Sequence, residues 1–262
     1  MTFSGSIPQY YDLGLGPMLF EPYALDLMTR IDPAHTHHVL ELACGTGRVT
    51  HHLRSTIPHA HIVASDINPD MLQLAQYRLE GEEIEWQVIN AEEIPFYEDT
   101  FDLVVCQFGY MFVPDKARAL REAHRVLKPG GQLLFNTWDE LEHNAAPAVA
   151  REIFKDLMDG EPPENFRIPW SMSDPEQLRQ LASGAGFSAV KVERVTLEGQ
   201  SDTAELAATG LILGSPLRRD LEERNPDLVD LARIKVHTAL QERLGDTPMK
   251  TPLAAFVCTC TK

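Results

Sequence analysis

The chain has 262 residues, of which 44% are hydrophobic and 24% are charged, a composition that suits one globular domain or one domain with substantial insertions. The formal net charge is -16, and the longest run of adjacent basic residues is the pair Arg218-Arg219. Proteins that bind nucleic acids or anionic membrane surfaces usually cluster Lys and Arg. The charge balance therefore argues against DNA, RNA and anionic membranes as partners.

Two features of the sequence indicate a cytoplasmic protein. The longest uninterrupted apolar stretch, Leu253–Cys258, is too short to span a membrane. The first basic residue is Arg30, so the preceding segment lacks the positive patch of a secretory signal. We therefore expect a cytoplasmic location and no membrane span.

The cysteines and histidines do not predict a metal site. Cys258 and Cys260 lie two residues apart on a strand-like run, and no second Cys or His pair has zinc-finger spacing. We expect the cysteines to be buried and reduced. The adjacent histidines His51 and His52 would point in different directions on a helix, which favours a solvated surface over a bound metal.

Short apolar segments alternate with helical segments along the first half of the chain. We predict strands at His38–Ala43, His61–Ser65, Ile84–Ile89, Phe101–Gln107 and Gln132–Thr137. We predict helices at Arg48–Ile57, Pro69–Leu79 and Asp115–Leu127, and a turn at Lys128-Pro129-Gly130-Gly131. This alternation predicts a parallel sheet covered by helices on both faces.

The chain changes character after Trp138. The predicted elements are helices at Ala146–Met158 and Asp174–Ala185, a loop at Gly160–Trp170, and strands at Ser188–Thr196 and Leu253–Cys260. A helical insertion, Ser201–Gly245, separates the two strands, and its last helix is predicted to start at Asn225-Pro226. If strand 188–196 is parallel to the others, the insertion begins and ends at the carboxyl edge, where open α/β sheets bind ligands. We expect it to cover a ligand site; packing outside the site is the alternative.

The strongest chemical signal is the segment Val39–Arg48. An apolar strand runs into a loop that contains Gly45 and Gly47, and a helix begins at once. Small residues let the backbone approach a ligand closely, and the start of a helix offers free N–H groups to an anion. Taken alone, the segment fits either a dinucleotide loop or a tight turn.

Polar residues follow the other predicted strands. Asp66 ends the second strand, where an acid can accept both hydroxyls of a ribose, with a helix N-cap as the alternative role. Asn90 and Ala91 follow the third strand, and Gln107 closes the fourth. Because the carboxyl ends of parallel strands meet at one edge, these residues are expected to converge on one crevice.

These segments resemble the class I S-adenosylmethionine-dependent methyltransferases, in particular the small-molecule branch that includes the quinone-biosynthesis C-methyltransferases. Glu41-x-Ala43-Cys44-Gly45-Thr46-Gly47 matches the first motif and Asp66 matches the ribose acid. The other matching segments are Asn90-Ala91-Glu92, Ile94-Pro95-Phe96, Thr100-Phe101-Asp102 and Arg125–Gly131. Asn90 departs from the family pattern, in which Asp is usual at this position.

The resemblance implies a Rossmann-like α/β fold. Its sheet would have seven strands in the order 3-2-1-4-5-7-6, parallel except for one antiparallel strand, with helical cap insertions. It also implies one domain over residues 1–262, with an N-terminal cap at 1–37 and a cofactor-binding core at 38–138. Residues 139–262 would complete the sheet and carry the cap insertions, at about 139–173 and 197–251.

The resemblance further implies S-adenosylmethionine as the cofactor, S-adenosylhomocysteine as its product, and no metal. Asp66 would hold the ribose, Ile67 and Met71 would flank the adenine, and Asn90 and Ala91 would contact its edge. The small loop residues and Gln107 would border the methionine part, and two N-terminal aromatic rings would cover the sulfonium. The expected cofactor-binding residues are Tyr11, Phe20, Glu41, Ala43, Gly45, Thr46, Gly47, Asp66, Ile67, Met71, Asn90, Ala91 and Gln107.

The acceptor side is less defined. A general base is needed only when the acceptor must lose a proton, and Asp139 and His143 are the candidates, with solvated loop residues as the alternative. The expected pocket residues are Phe108, Tyr110, Trp138, Arg167 and Trp170, with packing in the core as the alternative for the first three. The segment after strand four lacks the Asn/Asp-Pro-Pro-aromatic motif of enzymes that methylate amino groups of bases or glutamine. We therefore expect a small, neutral or apolar acceptor, bound by a monomer or homodimer.

Two other functions stay open at this point. A nicotinamide-dependent oxidoreductase would need Gly-x-Gly-x-x-Gly, but the loop continues as Gly47-Arg48-Val49-Thr50 without a third glycine. A domain that binds S-adenosylmethionine without transferring its methyl group, and that acts as a regulator or partner, has the same sequence signals, because no single catalytic residue marks activity.

Overall fold

The computed structural model describes residues 7–158, 160 and 164–262. Its sheet has seven strands in the order β3-β2-β1-β4-β5-β7-β6. The strands are β1 (His38–Glu41), β2 (His61–Asp66), β3 (Glu85–Val88), β4 (Phe101–Gln107), β5 (Leu127–Trp138), β6 (Ala189–Ser201) and β7 (Met249–Thr261). The β1–β2, β1–β4, β2–β3 and β4–β5 pairs are parallel, and β7 is antiparallel to β5. The predicted strand order and the antiparallel last strand are confirmed.

The described residues form ten α-helices. They are α1 (Ile7–Tyr10), α2 (Glu21–Met28), α3 (Arg48–Thr56), α4 (Pro69–Arg78), α5 (Lys116–Val126), α6 (Ala145–Leu157), α7 (Pro175–Gly184), α8 (Ala204–Leu213), α9 (Leu217–Arg224) and α10 (Asp227–Leu244). A π-helix, Tyr11–Phe20, connects α1 to α2. No helix among the described residues has both the length and the apolar character that crossing a membrane requires.

Local capping explains several helix starts. Asn68 and Asp174 accept backbone N–H groups two residues further on, and each is followed by a proline in the first turn. The Asn225 side chain accepts from Asp227 N, and α10 begins there. The helix start predicted at Asn225-Pro226 is therefore confirmed to within two residues.

The predicted turn at Lys128–Gly131 differs from the structure, because β5 already begins at Leu127. Gly130 has the positive φ (78°) of a turn residue. Its N–H nevertheless donates to Lys262 O, and Lys262 N donates to Gly131 O. Pairing with the last residue of the chain thus holds these turn-forming residues inside a strand, a contact that local sequence does not encode. In the predicted loop at Gly160–Trp170, Glu164–Trp170 forms a 3-10 helix, and residues 161–163 lie outside the described part.

The chain divides into two compact units. The sheet unit comprises Ala24–Asp139, Pro169–Val195 and Ala255–Lys262. The helical unit comprises the described residues within Met1–Tyr23, Glu140–Ile168 and Thr196–Ala254.

The helical unit is built on close backbone contacts between the π-helix and α8. A Cβ placed on Gly14 would lie 2.5 Å from Gly210 Cα, so neither position admits a side chain. Asn144 stabilises the same unit, since its Nδ2 donates to Ala254 O and its Oδ1 accepts from Ala254 N (both 3.1 Å).

Candidate cofactor and acceptor site

The loop between β1 and α3 has an unusual backbone. Ala43, Gly45 and Gly47 all have positive φ angles, at 54°, 56° and 81°. Ala43 is the costly one, because a left-handed conformation strains a residue with a Cβ by about 1–2 kcal/mol. The loop therefore reverses direction within a few residues and presents the first N–H groups of α3 at the carboxyl edge of the sheet.

The small residues of this loop differ in what surrounds them. A Cβ on Gly47 would lie 3.1 Å from Ala75 Cβ, so Gly47 permits the packing of α4 against the start of α3. Ala43 Cβ faces Gly109, where an added Cβ would lie only 2.6 Å away. At Gly45, by contrast, no described atom lies within 4 Å of an added Cβ. Gly45 is thus the position at which the backbone borders open space.

Asp66 ties the end of β2 to this loop. Its Oδ2 accepts from Gly45 N (2.9 Å) and its Oδ1 accepts from Asn68 N (2.8 Å). The residue is only 8% exposed. Burial raises the pKa of its carboxyl, while backbone N–H groups, including those of Asn68 and Gly45, oppose the rise. The sequence-predicted ribose acid is therefore fixed by the glycine loop.

Glu41 is a second buried acid beneath the loop. Its Oε2 accepts from Thr50 Oγ1 (2.6 Å). Burial raises the pKa of Glu41 to about 8; the Asp66 charge adds to the rise and the Thr50 hydroxyl opposes it. Thr46, also buried, is held through its backbone carbonyl, which accepts from the Arg78 guanidinium (2.8 Å). Glu41 and Thr46 are thus each held by a side chain of a neighbouring helix, Thr50 of α3 and Arg78 of α4.

The residues predicted to contact adenine lie at the ends of β2 and β3. Ile67, beside Asp66, is 65% exposed. Met71 is buried on α4. Asn90 Oδ1 accepts from Glu92 N (3.0 Å), so one face of that carbonyl is already engaged in its own turn. Ala91 is half-buried. The structure therefore brings an apolar side chain and a carboxylate together next to the open space at Gly45.

Aromatic residues occupy the ends of β4 and β5. Phe108, which follows Gln107, has a positive φ of 49° and stacks on Trp138 with ring centroids 3.8 Å apart and an interplanar angle of 9°. Trp170 lies 5.9 Å from Trp138 between ring centroids. Tyr110 is fully buried and contacts Phe135 edge-on. Gly109 allows this turn to fold close to both β4 and the glycine loop, because a Cβ there would meet Cys106 Sγ and Ala43 Cβ, each at 2.6 Å.

The two candidate bases have different surroundings. Asp139 is buried in the sheet unit, where its Oδ2 accepts from Arg194 Nε at 2.6 Å. His143 is exposed in the helical unit, on the short 3-10 helix Leu141–His143. The Asp139 carboxylate is thus held by an ion pair, whereas His143 lies on an exposed part of its own unit.

Three other predicted residues lie in the helical unit. Tyr11 and Phe20 stack with ring centroids 5.0 Å apart. They are the first and last residues of the π-helix. A π-helical turn holds more residues than an α-helical one, so these two residues are roughly two turns apart and lie on the same side of the helix. Arg167 is exposed. The roles of these three residues stay predictions.

The sequence reading missed two residues at this edge, Asn136 and Gly109. Asn136 is a fully buried amide near the end of β5 whose Oδ1 accepts from Phe108 N (3.0 Å). The available signal was a polar residue that directly follows the apolar run Leu133–Phe135 of a predicted strand. Gly109 had a signal as well, a glycine directly after a strand.

The residues present fit an adenosyl cofactor. The carboxylate of Asp66 suits a diol, exposed Ile67 suits a flat base, and a side chain at Gly45 would fill the open space beside them. Within the described residues, no group of three or more His, Cys, Asp or Glu side chains has the geometry to hold a metal ion. All four cysteines are free and buried.

Comparisons with known proteins agree with this arrangement. Residues 40–135 match the family model described as a methyltransferase domain. The chain is 31% identical over 183 residues to the ubiquinone/menaquinone biosynthesis C-methyltransferase UbiE of Pseudoalteromonas translucida, covering 61% of this chain and 70% of that protein. It is 44% identical over 179 residues to UbiE of Hahella chejuensis, covering 60% and 70%.

Solved structures share the fold. Phosphoethanolamine N-methyltransferase 2 of Haemonchus contortus, in complex with S-adenosyl-L-methionine, has a TM-score of 0.61 at 17% identity, covering 97% of this chain and 56% of that chain. The YcgJ protein of Bacillus subtilis has a TM-score of 0.60 at 19% identity, covering 92% and 98%.

The strand order, the antiparallel last strand and the acid that binds the glycine loop together define an α/β enzyme of the methyltransferase class. The matches extend this to the family. The chain belongs to the class I S-adenosylmethionine-dependent methyltransferases and is an enzyme that uses S-adenosylmethionine as methyl donor.

Proposed function

We propose that the enzyme methylates a small, uncharged organic molecule that carries a flat ring. The observation that carries this proposal is the Phe108–Trp138 stack, which follows the strand ends next to the glycine loop. Aromatic rings favour flat apolar groups and do not compensate a negative charge removed from water. The nearby acid, Asp139, is already paired with Arg194. The names of the relatives, which are enzymes of quinone biosynthesis, support a ring as the acceptor.

The cofactor residues follow from the cluster at β1 and β2. S-adenosylmethionine supplies an electrophilic methyl group on a sulfonium. Asp66 would accept from the ribose hydroxyls through lone pairs that its backbone donors leave available. Ile67 would lie against the adenine, and the N–H groups of the loop at Gly45 would border the methionine part.

The remaining assignments belong to the same proposal. Tyr11 and Phe20 would cover the sulfonium, and Asp139 or His143 would serve as base only for an acceptor that must lose a proton. The chain would work as a monomer or homodimer. A cytoplasmic location is supported by the four free, buried cysteines, which suit a reducing compartment.

Two measurements test the proposed function. S-adenosylhomocysteine at about 100 times its Kd should stabilise the protein by about 2.7 kcal/mol, visible as a raised Tm, whereas NADH should not. Cell extract incubated with the enzyme and a methyl-labelled donor should then yield a labelled small molecule by mass spectrometry. A raised Tm with label only on macromolecules would refute the acceptor class, and an unchanged Tm would refute the cofactor site.

A further inference from the structure

Asn136 is a buried polar residue whose donor group has no partner. It is 0% exposed and directly follows the buried apolar residues Leu133, Leu134 and Phe135 of β5. Its Oδ1 accepts from Phe108 N at 3.0 Å. Within the part of the chain that the structure describes, no atom accepts a hydrogen bond from Asn136 Nδ2. Buried donors without an acceptor are rare in folded proteins, so this one needs an explanation.

The contact with Phe108 determines the orientation of the Asn136 amide, that is, the positions of its Oδ1 and Nδ2. Turning the amide by 180° would place its NH2 group against the Phe108 N–H, two donors facing each other. The unpartnered end is therefore the donor end. The group is held in place by a bond that belongs to the turn after β4.

The register of the sheet places Asn136 at the carboxyl edge. Asn136 pairs with Gln107 on β4, and Val105 pairs with Glu41 on β1. Two residues beyond Glu41 is Ala43, so Asn136 lies level with the first residue of the glycine loop. Along β5, Asn136 and Trp138 point to the same face, because side chains alternate along a strand. Trp138 carries the stacked Phe108 ring on that face.

We propose that Asn136 Nδ2 donates a hydrogen bond to an oxygen atom of the methyl acceptor. The inference rests on the proposed function and deepens it: the acceptor is a ring compound that carries a carbonyl or hydroxyl oxygen. The aromatic residues bind the ring, and the single amide donor fixes its rotation. A site built around a donor discriminates strongly against an analogue that lacks the acceptor atom, since the donor is then buried unpaired.

Thr137, the next residue of β5, provides a matched control. It is 0% exposed, as Asn136 is, and its Oγ1 donates to Met172 O (2.9 Å). Because side chains alternate along a strand, Thr137 points to the opposite face of β5 from Asn136 and Trp138. Thr137→Val therefore removes a buried polar group from β5 without changing the face that carries the Phe108–Trp138 stack.

The test uses two probes of similar shape on the full chain saturated with S-adenosylhomocysteine. 1-Tetralone carries one carbonyl oxygen, and tetralin has the same ring system without it. In Asn136→Leu the Kd of 1-tetralone should rise about tenfold, whereas that of tetralin should change less than about twofold. Thr137→Val should change neither. Phe108 N keeps the Asn136 main-chain carbonyl as a partner in the variant (3.2 Å), so the turn is retained.

A second measurement needs no variant. The side-chain amide protons of Asn136 in the wild-type protein should shift in an NMR spectrum on adding 1-tetralone but not on adding tetralin. Equal losses for both probes in Asn136→Leu, or an unaltered Kd for 1-tetralone, would overturn the inference and leave the proposed function intact. If neither probe binds while S-adenosylhomocysteine does, the ring-bearing acceptor is refuted, and the inference falls with it.

Discussion

Two regions of the carboxyl edge of the sheet differ in their chemistry: the β1–β2 end, where β1 and β2 finish, and the β4–β5 end, where β4 and β5 finish. Each region contains one residue with a Cβ in a left-handed conformation. At the β1–β2 end, Ala43 takes a left-handed conformation, and at the β4–β5 end Phe108 does. Beyond those residues the two ends differ. The first is built from backbone N–H groups and two buried acids, Glu41 and Asp66, and the second from stacked aromatic rings and one amide.

The difference indicates what each end binds. Backbone donors and carboxylates suit a polar ligand whose hydrogen-bonding groups never vary, such as a cofactor. Aromatic rings and a single donor suit an apolar ligand of defined orientation. Each left-handed residue costs about 1–2 kcal/mol, and such strain persists only where surrounding contacts hold it in place. At Phe108 those contacts are the two oxygens of Asn136.

The largest expected effect comes from placing a methyl group in the open space at the β1–β2 end. Gly45→Ala should weaken S-adenosylhomocysteine binding on the order of 100-fold, because the added Cβ would overlap the ligand. Gly130→Ala is the matched control: φ is 78° and no described atom lies within 4 Å of its added Cβ. Both variants should lose about 1 kcal/mol of stability. Calorimetry should show lost affinity only for Gly45→Ala, and equal affinities would mean that the space at Gly45 is not the cofactor site.

The next effect concerns the acid. Asp66→Asn should weaken S-adenosylhomocysteine binding about tenfold, because the ribose loses a charged acceptor. Asp102→Asn is the control, since Asp102 also accepts two backbone N–H groups, those of His37 and His38, at the amino end of β4. Its affinity should equal that of wild type. Parallel losses in both variants would show that Asp66 acts only through the stability of the fold.

The third effect is on stability and concerns Glu41, the buried acid at the β1–β2 end. The pKa of Glu41 is raised to about 8 in the folded protein, so the folded state holds this proton more tightly than the unfolded state. The stabilisation is complete below the unfolded pKa and is lost as pH rises towards 8.

Glu41→Gln should therefore become progressively more stable than wild type between about pH 4.5 and 8. The difference should grow by roughly 1.4 kcal/mol per pH unit at most. Denaturant unfolding of the ligand-free proteins at several pH values measures it. A difference that does not change with pH would show that Glu41 is ionised in the folded protein at neutral pH.

The two ends also differ in how far the sequence predicts them. The β1–β2 end can be predicted from the sequence because Gly45, Gly47 and Asp66 lie at or just after the ends of predicted strands, where backbone geometry limits their roles. Even there, the packing of Gly47 against Ala75 depends on a helix that lies further along the chain. The β4–β5 end is harder to predict from the sequence, because the orientation of the Asn136 amide depends on a hydrogen bond from Phe108 N–H, 28 residues away.

The same limit applies elsewhere in the chain. The sequence did not predict the π-helix at Tyr11–Phe20. Gly14 in this helix packs closely against Gly210, and a contact between residues so far apart in the chain leaves no local pattern. The early start of β5 depends in the same way on Lys262. Local patterns predicted the order of elements, whereas long-range contacts set their ends and the chemistry of the acceptor side.

The most direct test of the central claim, that the β1–β2 end holds the cofactor, is a crystal structure of the protein with S-adenosylhomocysteine. The account predicts the ribose hydroxyls within hydrogen-bonding distance of the Asp66 carboxylate, with the adenine against Ile67 and the chain of the ligand passing Gly45. A ligand bound elsewhere, with Asp66 contacting only Gly45 N and Asn68 N, would contradict it.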